Sequence, residues 1–307
     1  MTRDLLSFED VSADELRGLL ERAGAHKRAR AAGEPLRTLP GRVVALVLEK
    51  ASTRTRVSFE VGVHELGGLP VYLASQGTQI GRGEPVEDLA RVLDGYCHAA
   101  VFRTFGQERC AAMAAAARMP VINGLTDLLH PCQIVADLFT VLEVRGTIDG
   151  LRYAWIGDGN NMANSWIEAA GLLGLDLALA CPPGYRSDAG VLARARARMA
   201  ASGRGHIELC DTPLAAARGA HVINTDVWAS MGQEEEAEAR RRAFAGWCVD
   251  AALMDAADPD AFALHCLPAH RGEEIAAEVI DGPRAQVWRQ AENRLHVQKA
   301  ILELCLA

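Results

Sequence analysis

Residues 43–56 read VVALVLEKASTRTR, a short apolar run that passes directly into a turn rich in Ser, Thr and Arg. The run Val43–Leu48 follows Gly41 and ends at a charged pair, which is typical of a buried parallel strand. A helical pattern, Arg56–Glu65, comes next. Strand, turn and helix in this order place free backbone N–H groups at the carboxyl end of a sheet, where they bind anions. A capped helix with two solvated arginines is the alternative, but three hydroxyls and two arginines in five residues favour an anion site.

The same alternation of apolar runs and helical patterns continues along the chain. In the first half, further strands are predicted at Leu69–Leu73, Ala99–Phe102 and Val121–Ile122, and helices at Glu87–Gly95 and Glu108–Arg118. In the second half, strands are predicted at Tyr153–Ile156, Asp176–Ala180, His221–Thr225 and Ala263–His265, and helices at Ala163–Leu173, Ala189–Ser202 and Pro213–Arg218. The helix Pro131–Arg145 and the turn Gly146–Gly150 separate the halves, and Glu292–Leu306 forms a last helix.

This pattern predicts an α/β fold of two domains, each a parallel β-sheet flanked by helices, joined by inter-domain helices. The first domain is predicted to span residues 1–145, with the helix of about residues 290–307 packing back on it, and the second to span residues 146–289. A length of 307 residues fits two domains, and 50% hydrophobic residues suffice for a core in each.

Charge and cysteine content exclude several classes of protein. With 32 Lys and Arg against 40 Asp and Glu, the net charge of −8 argues against a general nucleic-acid binder. The eight cysteines are scattered without metal-binding spacing, so we expect reduced thiols in a cytosol. The first 16 residues are too charged for a signal peptide, and no run of about 18 apolar residues is present. We therefore expect a soluble cytoplasmic enzyme.

Two more polar positions follow strands in the first half. Arg103 ends the third strand, and parallel topology should bring it towards Arg54. His130 precedes Pro131, which suits the first turn of a helix, and this places Gln133 one turn inside. Taken alone, such an arginine is usually a surface charge and such a histidine a helix cap.

Three turns in the second half also carry polar groups. The turn after the strand ending at Ile156 reads GDGNN, which invites a dinucleotide-binding interpretation, but Met162 replaces the third glycine and no acidic residue ends the next strand. Asp226 follows another strand and precedes a Ser-Met-Gly turn. Cys266 follows a third strand, where it could be a nucleophile, a polar contact or a buried filler.

Taken together, these segments resemble the aspartate/ornithine carbamoyltransferase family over the whole chain. The motifs are SxRTR at 52–56, HPxQ at 130–133, HCLP at 265–268 and the Asp226 turn with Ser-Met-Gly at 230–232, and the last two resemble the ornithine branch. The resemblance implies transfer of a carbamoyl group from carbamoyl phosphate to the δ-amine of L-ornithine, giving L-citrulline and phosphate, as in arginine biosynthesis and the urea cycle. It implies no metal and no organic cofactor, and a homotrimer or a multiple of it.

The resemblance also implies roles for individual residues. The carbamoyl phosphate contacts would be Ser52, Thr53, Arg54, Thr55, Gln79, Arg103, His130, Gln133, Cys266, Leu267 and Arg294. The ornithine contacts would be Asn161, Asp226, Ser230 and Met231. Arg103, His130 and Cys266 would be catalytic, and Cys266 would orient the amine beside Asp226 instead of forming a covalent intermediate.

Three alternatives stay open from the sequence. A sibling carbamoyltransferase could act on aspartate, acetylornithine or putrescine, although an aspartate site needs more cations and putrescine lacks the amino-acid group that Asp226 would hold. A dehydrogenase could use the GDGNN turn. A non-catalytic binding protein could retain the fold, although the intact anion motif argues against it.

Overall fold

The computed structural model describes residues 3–75, 83–229 and 236–307, and in these residues the chain forms twelve helices and nine strands. The helices are α1 (Ala13–Ala31), α2 (Thr53–Glu65), α3 (Val86–Asp94), α4 (Gln107–Ala116), α5 (Pro131–Arg145), α6 (Asn161–Leu173), α7 (Ala189–Ser202), α8 (Pro213–Ala217), α9 (Ala237–Ala243), α10 (Ala251–Ala256), α11 (Ala277–Ile280) and α12 (Val287–Leu306). The strands are β1 (Val43–Leu48), β2 (Leu69–Ala74), β3 (Ala99–Arg103), β4 (Val121–Leu125), β5 (Arg152–Ile156), β6 (Asp176–Ala180), β7 (His206–Cys210), β8 (Val222–Thr225) and β9 (Phe262–His265).

The chain divides into two compact units. Unit 1 comprises Met1–Phe139 and Glu292–Ala307, and unit 2 comprises Thr140–Ala291. The chain passes from one unit to the other inside α5 and again inside α12. The predicted fold class is confirmed, since each unit contains a parallel sheet with helices. Among the described residues, no helix is long and apolar enough to cross a bilayer.

Unit 1 contains a parallel sheet in the order β2-β1-β3-β4. The apolar run Val43–Leu48 forms β1 as predicted, at the centre of this sheet, and almost all of its side chains are buried. The last part of α12 makes polar contacts with α1 and α2. Glu303 accepts a hydrogen bond from Arg22, and Lys299 donates one to Glu65.

Unit 2 contains a parallel sheet in the order β7-β6-β5-β8-β9. A cluster of buried apolar side chains in this unit includes alanines on β5, β6, β9 and α8. Since all strands run in one direction, the turns after β5, β8 and β9 lie at the same edge of the sheet. These are the turns that carry the polar motifs of the second half of the sequence.

The structure adds several elements to the predicted ones. The helix α1 was missed, although Ser12 and Glu15 form a capping box at its start. The strand β4 runs to Leu125 instead of Ile122, because the polar Asn123 is accommodated inside the unit through its side-chain nitrogen, which donates to the Leu6 carbonyl at 2.9 Å. The strand β7 and the short helices α9, α10 and α11 were also missed. All eight cysteines are free thiols, as predicted.

Candidate active site

The turn between β1 and α2 has the form of an anion-binding helix terminus. Ser52 is the N-cap of α2, and its hydroxyl accepts a hydrogen bond from the Thr55 backbone N–H at 3.2 Å. Arg54 is half-buried and Thr53 exposed, whereas Thr55 is buried. The first turn of α2 carries no acidic residue, so the positive end of the helix dipole is not neutralised there. This geometry suits a phosphate group.

The second arginine of the motif is engaged elsewhere. The guanidinium of Arg56 stacks over the ring of Tyr72 at 3.8 Å and donates to Glu60 at 3.1 Å. Arg56 thus attaches α2 to the edge strand β2. Binding of an anion by Arg54 stays a prediction.

Arg103 and His130 are both buried at the carboxyl edge of the sheet in unit 1. The Glu49 backbone N–H donates to the Arg103 carbonyl at 2.8 Å, which ties the end of β1 to the end of β3. His130 immediately precedes Pro131, the first residue of α5, as predicted. Burial, and then the positive charges of Arg294 and Arg103, hold the pKa of His130 well below its usual range. At neutral pH the imidazole is therefore uncharged and can hydrogen-bond without carrying charge.

Arg294 joins three parts of unit 1 that are distant in sequence. Its guanidinium donates to the Thr55 hydroxyl at 2.8 Å and to the side-chain oxygen of Gln133. The amide nitrogen of Gln133 donates to Asp137 at 2.9 Å, which fixes the orientation of that amide. Arg294, Thr55 and Gln133 were predicted to share a ligand, and the structure brings them together. Asp137 was missed, although it lies one helical turn beyond Gln133.

Glu49 and Lys50, the two charged residues that directly follow β1, each contact other side chains of unit 1. The carboxylate of Glu49 accepts hydrogen bonds from Thr104 and from Arg109, the latter in bidentate form. The ammonium of Lys50 is bound by Asp127 and lies 4.6 Å from the centre of the Phe105 ring. Sequence reasoning missed both residues, although a charged pair directly after a buried strand is a usable signal.

In unit 2, Asp226 is the centre of the polar cluster. The Cys266 thiol donates to one carboxylate oxygen at 3.0 Å, and the Asn160 amide donates to the other at 2.9 Å. Cys266 was expected beside Asp226 and lies there. Asn160 was not predicted, and its neighbour Asn161, which was, is the first residue of α6.

The turn after β5 is less suited to a dinucleotide than its glycines suggest. The side-chain oxygen of Asn160 accepts hydrogen bonds from the backbone N–H groups of Met162 and Ala163. These are the amides that a pyrophosphate would need at a helix N-terminus. The observation weighs against the dehydrogenase alternative.

Arg240, which sequence reasoning also missed, forms a buried ion pair beside this cluster. Its guanidinium contacts the Asp158 carboxylate at 2.9 Å and the Trp228 carbonyl at 2.9 Å, and it lies over the Tyr185 ring. Burial raises the pKa of Asp158 to about 6, against the opposing effect of Arg240. The pair fixes the turn after β5 against the segment after β8.

The HCLP segment places one residue in a conformation that L-residues rarely adopt. Among the described residues, Leu267 is the one non-glycine with a positive φ, at 61°. Its backbone N–H donates to His265 Nδ1 at 2.8 Å. The ligand atoms of Asp226, His265 and Cys266 lie within 4.8 Å of one another, so they could hold a metal ion. The Cys266 thiol would first have to give up its hydrogen bond to Asp226, and both ring nitrogens of His265 already have partners.

Some predicted residues cannot be placed. Gln79, Ser230 and Met231 lie outside the described residues. The other predicted residues fall into two groups, each within one unit. Unit 1 holds Ser52, Thr53, Arg54, Thr55, Arg103, His130, Gln133 and Arg294, and unit 2 holds Asn161, Asp226, Cys266 and Leu267.

Comparison with known proteins also divides the chain in two, but it counts residues 292–305 with the second domain, whereas they belong to unit 1. The two units define an α/β protein with an anion-binding turn in one and a carboxylate–thiol cluster in the other. Residues 3–143 match the carbamoyl-P binding domain of aspartate/ornithine carbamoyltransferases, and residues 149–305 match their Asp/Orn binding domain. The chain belongs to the aspartate/ornithine carbamoyltransferase family.

Relatives named ornithine carbamoyltransferase match nearly the full chain. The one from Geobacter sulfurreducens is 55% identical over 302 residues, which cover 98% of each chain. The solved structure from Pyrococcus furiosus has a TM-score of 0.94 at 48% identity and covers 99% of this chain and 96% of that one. The anabolic enzyme from Campylobacter jejuni has a TM-score of 0.93 at 37% identity and covers 99% and 98%.

Proposed function

We propose that the chain transfers the carbamoyl group of carbamoyl phosphate to the δ-amine of L-ornithine, giving L-citrulline and phosphate. The observation that carries the proposal is the contact of Arg294 with both Thr55 and Gln133, next to the capped N-terminus of α2. This contact brings together, within unit 1, groups that can donate hydrogen bonds to a phosphate and groups that can bind an amide. The names of the relatives supply the substrates.

In this proposal, unit 1 binds carbamoyl phosphate. Ser52, Thr53, Arg54 and Thr55 hold the phosphate through side-chain and backbone donors at the helix terminus. Gln79, Gln133 and Arg294 bind the carbamoyl end, together with the backbone of Cys266 and Leu267 in unit 2. The corresponding domains are residues 1–145 with the last helix of about residues 290–307, and residues 146–289 for ornithine.

Activation of the carbamoyl carbon is assigned to donors in unit 1. Attack by an amine places negative charge on the carbamoyl oxygen, and preorganised donors stabilise that charge. Arg103 supplies a charged donor, and the Thr55 hydroxyl and neutral His130 supply uncharged ones. The low pKa of His130 supports this role, because a neutral ring does not compete with the arginines for the substrate's charge.

Binding of the amine is assigned to unit 2. Asn161, Asp226, Ser230 and Met231 hold the amino-acid part of ornithine. The δ-ammonium must lose a proton before it attacks, since an alkylamine has a pKa of about 10.4. Desolvation lowers that pKa, so this first proton leaves to solvent before the attack. The attacking nitrogen loses a second proton as the bond between the carbamoyl carbon and the phosphate oxygen breaks, and the departing phosphate accepts that proton. The thiol of Cys266, which is already a hydrogen-bond donor to Asp226, orients the amine and forms no covalent bond.

We further propose a cytoplasmic enzyme of arginine biosynthesis that assembles as a homotrimer or a multiple of it and needs no metal or organic cofactor. The edge strand β2 supports self-association, because every one of its side chains is at least partly exposed and Leu69 is 58% exposed. Light scattering during gel filtration measures the assembly. A monomer would contradict this part of the proposal.

The reaction is tested by supplying carbamoyl phosphate with L-ornithine, N-acetylornithine, L-aspartate or putrescine in parallel. We expect phosphate release and ureido product with L-ornithine and little with the other three. If the enzyme prefers one of the other amines, that amine replaces ornithine as the proposed substrate. Absence of turnover with all four would leave the family assignment but contradict the proposed reaction.

A further inference from the structure

The turn that carries Cys266 and Leu267 rests on a buried pair, His265 and Glu274. The side chains of both residues are fully buried. His265 Nδ1 accepts the Leu267 backbone N–H at 2.8 Å, and His265 Nε2 lies 3.2 Å from Glu274 Oε1. The two ring nitrogens therefore link the turn on one side to a carboxylate on the other.

These contacts require one tautomer of the histidine. Nδ1 accepts a hydrogen bond from a backbone N–H, so it carries no proton, and the neutral ring must carry its proton on Nε2. That proton faces the Glu274 carboxylate, which accepts hydrogen bonds and donates none when ionised. Glu274 thus favours the tautomer that leaves Nδ1 free to hold Leu267, as a carboxylate orients a histidine in hydrolases.

Glu274 is itself well placed to act as a fixed support. Its backbone carbonyl accepts the Val249 N–H at 2.9 Å, and the next but one residue, Ala276, donates back to Val249 at 3.0 Å. Its side chain also accepts the backbone N–H of His270. The same carboxylate oxygen thereby contacts both ends of the segment 265–270.

The backbone conformation at Leu267 depends on its hydrogen bond to His265. Leu267 has a positive φ, which is unfavourable for a residue with a Cβ. Loss of the bond to His265 would let the backbone relax and would move the Cys266 thiol relative to Asp226, which it now contacts at 3.0 Å.

We propose that Glu274 is a positioning residue for the reaction: it selects the His265 tautomer that holds Leu267, and so fixes where Cys266 and Leu267 present their polar groups. The proposal rests on the proposed function in assigning those two residues to the substrates. Neither Glu274 nor His265 contacts a substrate in it.

Two substitutions separate tautomer selection from a general structural role. In Glu274→Gln, the amide can present oxygen or nitrogen to His265, so the other tautomer becomes accessible. We expect kcat to fall about 10- to 100-fold, as for a small displacement of reacting groups. In His265→Asn, the amide oxygen stands where Nδ1 was and still accepts the Leu267 N–H, with no tautomer to select. Adding Glu274→Gln to His265→Asn should therefore cause no further loss of kcat.

A second readout needs no substrate. The rate at which iodoacetamide alkylates Cys266, followed by mass spectrometry, should rise several-fold in Glu274→Gln, while Cys97, half-buried in unit 1, serves as the internal reference. Arg271→Ala is the matched control. Arg271 lies three residues before Glu274 and pairs with Asp281 at the surface, so its replacement should leave kcat and the alkylation rate of Cys266 unchanged.

Independent losses of kcat that add in the double variant would overturn the proposal, as would unchanged alkylation of Cys266 in Glu274→Gln. If Glu274→Gln does not fold, His265→Asn and His265→Ala decide: the proposal requires the asparagine variant to keep the higher kcat, and equal losses contradict it. A wild-type enzyme that makes no citrulline would contradict the proposed function. The alkylation experiment would still test the proposal about Glu274, because it needs no substrate.

Discussion

Replacing Arg240 with Met removes the cation that contacts Asp158 while keeping a long side chain in the same space. Both side chains of the pair are 8% exposed, so water cannot easily replace the lost partner. The Trp228 carbonyl loses its guanidinium donor in the same step. Breaking a buried ion pair from one side costs about 3–5 kcal/mol, because a charge is left uncompensated. For a protein of this size we expect a loss of Tm on the order of 10 °C.

The adjacent residue offers a matched control. Arg241 lies on the same helix, but its side chain is 56% exposed, and it contacts Glu273 at 3.0 Å and Glu238 at 3.8 Å. Exposed ion pairs contribute about 0–1 kcal/mol. Urea unfolding of Arg240→Met and Arg241→Met, followed by circular dichroism, should therefore separate two neighbouring arginines by at least about 2 kcal/mol.

The pH dependence of the free energy of unfolding tests the same reasoning a second time. Burial raises the pKa of Asp158 from 3.8 to about 6, and removal of Arg240 must raise it further. A raised carboxyl pKa means that the folded state holds the proton more tightly than the unfolded state, so stability falls as the pH rises past 3.8 towards the folded pKa. The loss caused by Arg240→Met should consequently be larger at pH 8 than at pH 5. Equal losses for Arg240→Met and Arg241→Met, or a larger loss at pH 5, would refute the reasoning.

Other predictions concern the proposed reaction. Arg54→Gly should lower kcat/KM by several orders of magnitude in the phosphate-release assay with the fold intact by circular dichroism; activity near wild type would remove Arg54 from the phosphate site. Cys266→Ala should keep measurable turnover, and complete inactivity or a trapped thiol adduct would contradict its positioning role. Because His130 stays neutral in the folded state while the unfolded chain protonates it, it makes the protein less stable as the pH falls below 6.5. In His130→Asn the decline of unfolding free energy below pH 6.5 should be shallower by about 1.4 kcal/mol per pH unit. Addition of NADH should cause no saturable quenching of the protein's fluorescence, and saturable quenching would revive the dehydrogenase alternative.

The fold was predictable where pattern and burial agree. The strand Val43–Leu48 is apolar throughout and lies at the centre of a sheet, so the apolar pattern predicts a buried strand and the structure has one there. The strand β7 was not predictable in this way, because it is an edge strand in which His206 and Leu209 are exposed. The helix α1 could have been found from its capping box.

The site was predictable from residues that end strands, since parallel topology collects them at one edge. As that pattern predicted, Arg103 ends β3, Asp226 directly follows β8 and Cys266 directly follows β9. Residues whose partners lie far along the chain gave no such signal. Arg240 contacts Asp158 from 82 positions away, and its place in an Arg-rich helix looks like an ordinary charged surface. His265 and Glu274 stand nine residues apart, but only the folded turn makes them a pair.

The contact between Arg294 and Thr55 spans 239 residues, and this has a consequence for synthesis on the ribosome. Unit 2 is one continuous stretch of chain, so all of its residues are present once the ribosome has passed Ala291. Unit 1 is discontinuous: the strands β1–β4 of its sheet are translated before unit 2, but Arg294 is translated only after it. A nascent chain stalled before Arg294 would therefore lack the donor that contacts Thr55 and Gln133. In the proposed function, such a chain would have an incomplete site for carbamoyl phosphate.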